Sequence, residues 1–444
     1  MFTGYRFMKR TTLLVLLCVA SLLMAGGVAA KTLKRTADVV IKSAEGFGPL
    51  LGRSISSLRA YAMTAKGFAP IPFQIDERNA KGKLVFPLGP KANRDEDNGR
   101  LDANDELVFM VRDAGDQADA AAFPAGWNTA VPLEIIDPLD GGKAWVYLLD
   151  FDAPPAPSPV DYVRYDSAAN MIYATNYTMG FDKKSPIGIG YLASTAQGGS
   201  DGKNYVDRLK IRFTATTLAG LIKIERNEEQ FTCKVVAWID GPVRVIRHTQ
   251  NRIVLVLNIP SPSAMLDNVY YSNQFEFPTE VNVPFDPQTL ISDPRFIVST
   301  DALCGVPGMT YRNEKNPRPV LIDGVMSPEE QALNKTPYRW MVVTVPPPGK
   351  GAWLNRLTYD KRFGVSPELF YMDRRSALDP PENDPGQCGN VGYALNGMVN
   401  LKKGELRLNS IMYSIPEFSD DKIPTYLNIL DRPLAVAPGK ALAR

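Results

Sequence analysis

Apolar and charged residues alternate one for one along several stretches: Leu209-Lys210-Ile211-Arg212-Phe213, Ile222-Lys223-Ile224-Glu225, Cys233-Lys234-Val235 and Val243-Arg244-Val245. A period of two belongs to a strand with one face in a core and the other toward water, and it predicts antiparallel sheets. Ile253 to Leu257 reads as a more fully buried strand. Upstream, the runs Ala37 to Ile41, Leu58 to Met63, Ile71 to Ile75, Leu84 to Phe86, Leu107 to Val111, Val131 to Ile136 and Ala144 to Leu149 are strand candidates, enough for a small sandwich. Helical signals are sparse. The best is Ser327-Pro328-Glu329-Glu330-Gln331, where Ser327 caps, Pro328 fits the first helical position and Glu330 completes a capping box.

One break in the pattern divides the chain. Residues Asp152 to Pro159 carry four prolines, which cannot sit in a central strand and favour a stiff, extended connection. The expected order is a small N-terminal β-sandwich over residues 31–151, a Pro-rich linker at 152–159, and a larger antiparallel two-sheet body, supersandwich-like, over 160–444. The fold class is therefore mostly β.

Residues 1–30 stand apart. A basic start, Met8-Lys9-Arg10, leads into an apolar run from Leu13 to Met24 and a small-residue exit, Gly26-Gly27-Val28-Ala29-Ala30. That order is a secretory signal peptide rather than a spanning helix, with cleavage expected after Ala30. Export places the chain in a periplasmic or extracellular compartment. No other segment approaches the ~20 consecutive apolar residues of a bilayer span, so no membrane span is expected. The whole chain has 50 Lys and Arg against 48 Asp and Glu; removing Arg6, Lys9 and Arg10 and no acids leaves a near-neutral mature chain. Such a chain lacks the basic footprint of a nucleic-acid binder.

Export also changes the meaning of the cysteines. Cys18 leaves with the signal peptide, and Cys233, Cys304 and Cys388 remain. In an oxidising compartment one bridge and one free thiol are possible. Cys233 lies in a strand-like run and is expected buried, whereas Cys304 and Cys388 lie in Gly/Pro-rich loops and are expected to pair.

The acidic stretch from Asn93 to Glu106 is the most specific local feature. Alternating oxygen-bearing side chains around a glycine suit calcium, which takes six to eight oxygen ligands, and a structural calcium ion is expected on Asn93, Asp95, Asp97, Asp105 and Glu106. Two registers compete. With Asn93, Asp95 and Asp97 leading, Asp105 closes the loop; with Asp95 leading, Glu106 falls at the twelfth place and Arg100 occupies the glycine position. A plain solvated hairpin loop is the competing reading.

Pro70-Ile71-Pro72-Phe73-Gln74-Ile75-Asp76, this acidic loop, and Asp105-Glu106-Leu107-Val108-Phe109 together resemble the N-terminal region of some secreted carbohydrate-active proteins, whose β-supersandwich is similar to galactose mutarotases and some polysaccharide lyases. Gly241-Pro242-Val243-Arg244-Val245 resembles a strand start in such bodies, and Gly404-Glu405-Leu406-Arg407-Leu408 is compatible with one. The resemblance implies a glycan ligand and, for an enzyme, lyase or related glycan-processing chemistry.

The residues available for such chemistry are few. The chain has one histidine, so two-imidazole schemes and His-rich zinc sites are excluded. Arg244, Arg247 and His248 are the catalytic candidates. Tyr270, Tyr271, Trp340 and Trp353 are candidate stacking platforms for sugar rings. A second acidic loop, Asp379 to Gly386, reads as a rigid surface loop. The expected function is a secreted β-sandwich protein that binds or processes a carbohydrate or cell-envelope glycan, binding being favoured over turnover. The alternative is a structural or accessory envelope protein that meets a protein partner.

Overall fold

A computed structural model describes residues 29–444 apart from 183–187, 218–219, 255–262, 284–285, 287–290, 307, 361–363, 398–399 and 401–402. Residues 1–28 of the expected signal peptide and the end of the 253–257 strand lie outside that range. The chain is mostly β, and every strand pairing among the described residues is antiparallel.

The N-terminal part is a small sandwich. Strand Glu106–Met110 lies between Val39–Ser43 and Phe73–Asp76 in a three-stranded sheet. This packs on a six-stranded sheet built around Trp127–Ile136, Lys143–Phe151 and Leu58–Thr64. Val40, Leu107 and Phe109 of the first sheet meet Ala60, Leu133, Val146 and Leu148 of the second in one apolar cluster. Residues 154–162 then run without regular structure, and Pro155 accepts a hydrogen bond from Arg59 Nε at 2.7 Å. The chain returns at its end: Ala435–Pro438 and Leu442–Ala443 both pair with Trp127–Ile136. These strands complete the six-stranded sheet and tie the two parts together.

The larger body is a two-layer sandwich. One layer is a nine-stranded sheet running from Phe231–Asp240 at one edge to Asn316–Ile322 at the other, with Gln274–Val283, Gly404–Ile415 and Ala352–Tyr359 adjacent near its centre. The opposing layer comprises a four-stranded sheet, which includes Tyr177–Phe181, and a five-stranded sheet in which Val206–Thr217, Ile291–Ala302 and Gln387–Asn396 are neighbours. Between the layers lies a core rich in rings, with Tyr177, Tyr270, Phe275, Tyr311, Tyr338, Trp353 and Tyr393 all buried. Aromatics fit a pleated surface that is packed on one face, and many meet edge to face, as Tyr177 does with Trp353 at 5.5 Å between centroids.

The capping box forms as read: Ser327 Oγ accepts from Glu330 N at 3.2 Å and Glu330 Oε2 accepts from Ser327 N at 2.6 Å at the start of helix Pro328–Gln331. A second helix, Ile423–Asp431, has no such signature and covers Leu354, Ile411 and Tyr413 on the outer face of the nine-stranded sheet. Leu84 to Phe86 is not a strand; an isolated bridge pairs Leu84 with Arg78. Cys304 and Cys388 are bonded, with Cα atoms 5.1 Å apart, and Cys233 is a buried free thiol.

Candidate functional site

The motif from Pro70 to Asp76 ends in a strand whose polar side chains turn toward the larger body. Gln74 Oε1 accepts from the backbone N–H groups of Val243 (3.0 Å) and Arg244 (2.8 Å), where strand Arg244–Ile253 begins. Gln74 Nε2 donates to both oxygens of Asp76, and Arg244 Nε donates to Asp76 Oδ2 at 2.5 Å while its Nη2 reaches Glu106. Gly241 makes the approach possible, because a Cβ there would lie 2.4 Å from Gln74 Oε1. Arg78 holds the other oxygen of Glu106 at 2.7 Å. Burial pushes the Glu106 carboxyl up, but Arg244 and Arg78 outweigh it and hold it below its ordinary value. These residues form a lock between the two sandwiches.

That geometry corrects several expectations. Arg244 is buried and committed to two carboxylates. Arg247 is fully buried: its guanidinium lies 3.5 Å from the Phe181 ring centroid and donates to Tyr270 Oη and Asn170 Oδ1. Only His248 of the three reaches the surface, where its Nδ1 bonds Asp267 and its ring stacks on Phe86 at 4.5 Å. Tyr270, Tyr271 and Trp353 have relative exposures of 0, 2 and 3%. They are core side chains with no face for a sugar ring, since period-two strands put aromatics inside as readily as out. Trp340 is partly buried against the cluster beneath the Ile423–Asp431 helix.

The acidic loop brings together a different set of oxygens from the one expected. Asp95, Asp97 and Asp102 place carboxylate oxygens within 4.8 Å of one another. Glu77, from the neighbouring strand end, accepts from Gly99 N and adds its charge to theirs. Of the expected ligands, Asp95 and Asp97 belong to this cluster. Asn93 Oδ1 instead accepts from Phe86 N at 2.7 Å, Asp105 from the backbone N–H groups of Arg78 and Asp102, and Glu106 pairs with the two arginines. Burial, then the charges of Asp102 and Asp95, raise Asp97 above its ordinary value; burial and the charges of Asp97, Asp95 and Asp102 raise Glu77. Burial pushes Asp105 up to about 6 against its backbone hydrogen bonds. Carboxylates held together at the expense of their ionisation are suited to a hard cation.

A second charged cluster escaped the alternation reading. Lys210 and Arg212 lie on the face of their strand that predicts solvent, yet the second acidic loop folds over them. Lys210 Nζ lies 2.6 Å from Asp301, 3.0 Å from Glu382 and 3.3 Å from Asp379, and its side chain is only 1% exposed. Arg212 pairs with Asp379 at 2.8 Å and with Glu228, and Arg208 with Glu382 at 3.0 Å. The bridge at Cys388 adjoins this cluster, because Cys388 N donates to Asp301 Oδ1 at 3.0 Å. The residues of the Asp379 to Gly386 loop were visible in the sequence; their basic partners, distant along the chain, were not.

An open groove of about 370 Å³ lies where three central strands of the nine-stranded sheet adjoin, lined by Pro278, Glu280, Thr358, Tyr359, Arg407 and Asn409 among others. Glu280 and Arg407 pair across it at 3.2 Å and both are more than half exposed. Asn409 donates to Glu276 at its inner end.

No protein-family model and no curated protein matches this chain. Among solved structures it is similar to an alpha-mannosidase from Enterococcus faecalis V583, at 11% identity and a TM-score of 0.46, over 93% of this chain and 46% of that one. It is also similar to alpha-N-acetylgalactosaminidase NagBb from Bifidobacterium bifidum, in complex with GalNAc, at 10% identity and a TM-score of 0.29, over 59% of this chain and 38% of that one. The chain spans less than half the length of either protein, and likeness of this degree transfers neither an activity nor site residues.

Proposed function

We propose that this is a secreted β-sandwich protein that binds a carbohydrate or cell-envelope glycan without turning it over, and that calcium held by the 95–102 loop braces its N-terminal sandwich. The observation that carries the reading is the commitment of Arg244 and Arg247 within the fold, together with an open groove elsewhere on the large sheet that presents several polar side chains. Sugar hydroxyls both donate and accept, and along one shallow surface Thr358 and Asn409 can do either, Arg407 can donate and Glu280 can accept. The signal-peptide pattern of residues 8–30 and the Cys304–Cys388 bridge support export.

A pull-down of the mature chain on immobilised polysaccharides tests the binding claim. Retention on at least one glycan is expected, and Arg407→Ala is expected to weaken it by about tenfold, the equivalent of one charge-assisted hydrogen bond. Absence of any retention would sink the glycan reading and favour the protein-partner alternative.

Calcium is tested separately by thermal melts. A cation bound only by the native chain stabilises it by mass action, by about 2.7 kcal/mol at a hundred times its Kd. Calcium is expected to raise the melting temperature, and chelator to reverse the effect. The raised carboxyls give the pH dependence its sign: Glu77 and Asp97 bind protons more tightly when folded, so calcium competes less well at pH 5 than at pH 7. Asp97→Asn is expected to abolish the calcium response; identical melts with calcium and chelator would remove the claim.

A further inference from the structure

We infer that the Ala30–Lys31 peptide bond is the processing site of this chain and that Asp116 is the receptor for the ammonium group its hydrolysis releases. The inference rests on the export reading. The sequence offers the cut, with small residues at Val28, Ala29 and Ala30, and the fold offers a place for the new chain end. Water adds to the Ala30 carbonyl carbon and the C–N bond breaks. Ala30 departs as a carboxylate, and the Lys31 nitrogen takes up protons to become an ammonium.

The Lys31 nitrogen already donates to Asp116 Oδ1 at 2.7 Å. As a peptide N–H it offers that carboxylate one donor and no charge; as an α-ammonium it offers three donors and a full positive charge, which makes the contact a charge-assisted one. The chain is anchored from this residue onward. Lys31 Nζ donates to Ala114 O at 2.6 Å, Thr32 N and Leu33 N both donate to Lys143 O, Lys143 N donates to Thr32 Oγ1, and Leu33 is buried. Upstream, Ala29 and Ala30 are exposed, and Ala29 exchanges hydrogen bonds only with Gln117. Ala30 borders an open cleft of about 550 Å³ whose lining includes Asp116 and Asp119. Asp113 also acts on Lys31 electrostatically. The surroundings are thus acidic where a new positive charge appears.

Two measurements test this. The first is N-terminal sequencing of the chain recovered after export, which is expected to read Lys31-Thr32-Leu33. The second uses a chain beginning at Lys31, released from a fusion by a specific endoprotease, with and without Asp116→Asn. Acylation of the α-amine near neutral pH is expected to be about tenfold slower in the native chain than in the variant, because one pKa unit sets a tenfold change in free amine. Should Asp116→Asn fail to fold, N-terminal acetylation of the unaltered chain serves instead, with a melting temperature expected about 2 °C lower. An exported chain that begins elsewhere overturns the cut. Equal acylation rates, or an unchanged melt on acetylation, overturn the receptor while leaving export intact, and a chain never cleaved defeats the export reading itself.

Discussion

Arg244→Ala is expected to cost about 3–5 kcal/mol of stability, the range for removing one partner of a buried ion pair. The side chain lies between Asp76 and Glu106 of the small sandwich while its backbone begins a strand of the large one. Truncation leaves two carboxylates facing a buried space, with the neutral amide of Gln74 on Asp76 and only Arg78 as a remaining cation, at the other oxygen of Glu106. Denaturant unfolding of the mature chain measures the loss. Because the lock joins the sandwiches, the transition is also expected to broaden or split, departing from a single cooperative step. Arg244→Lys recovers only part of the loss, since one ammonium cannot reproduce a guanidinium fork that serves two carboxylates. A cost below about 1 kcal/mol, the scale of an exposed ion pair, would show that the lock is not structural and would reopen a role for Arg244 in chemistry.

The Arg244 lock also explains how much the sequence could disclose. Strands were legible because their patterns are local: Leu209 to Phe213 by alternation, and Leu107 to Val111 and Val131 to Ile136 as short apolar-rich runs, announce themselves within a few residues. The motif Pro70 to Asp76 was legible as unusual, but its purpose depends on Gly241 and Arg244, far along the chain, and a one-dimensional pattern does not say which segments meet. The same motif that suggested a carbohydrate-active relative is, in the fold, a cap on another strand. Burial of the rings was illegible for a related reason. Tyr270 and Tyr271 are consecutive and so point to opposite faces of their strand, yet both are buried, because both faces are covered at that point. In the acidic loop the ligand type could be read from composition, whereas the convergence of Asp102 and Glu77 on Asp95 and Asp97 depends on a turn at Gly99, whose φ is +83°. That backbone conformation is one glycine adopts without strain.

Lys210→Met carries the other large expected effect, again about 3–5 kcal/mol at neutral pH, and it has a pH signature that simple loss of packing lacks. Methionine keeps most of the apolar stem, so the change removes chiefly the charge. Lys210, Arg208 and Arg212 face Asp207, Glu228, Asp301, Asp379 and Glu382, and acids already exceed bases. Burial lowers the lysine, but Asp301 and Glu382 outweigh it and raise it above its ordinary value. Its contribution is therefore fully present below the unfolded pKa and lost only as pH rises through the folded one, so the unaltered chain has all of it between pH 5 and 8. Asp301 has the same sign at a lower pH: burial pushes it up to about 6 against the attraction of Lys210. Between its ordinary value and about 6 the native chain holds that proton more tightly than the unfolded one, and stability falls as pH rises through this window. Without the ammonium, Asp301, Glu382 and Asp379 repel one another directly: Asp301 rises further, and Asp379 loses one of the charges that hold it low. Protonation then relieves the strain, so the deficit of Lys210→Met is expected to be clearly smaller at pH 5 than at pH 8, as read by urea unfolding at the two values. A deficit equal at both would mean that Arg208 and Arg212 already neutralise the cluster, and that Lys210 contributes through its packed stem rather than its charge.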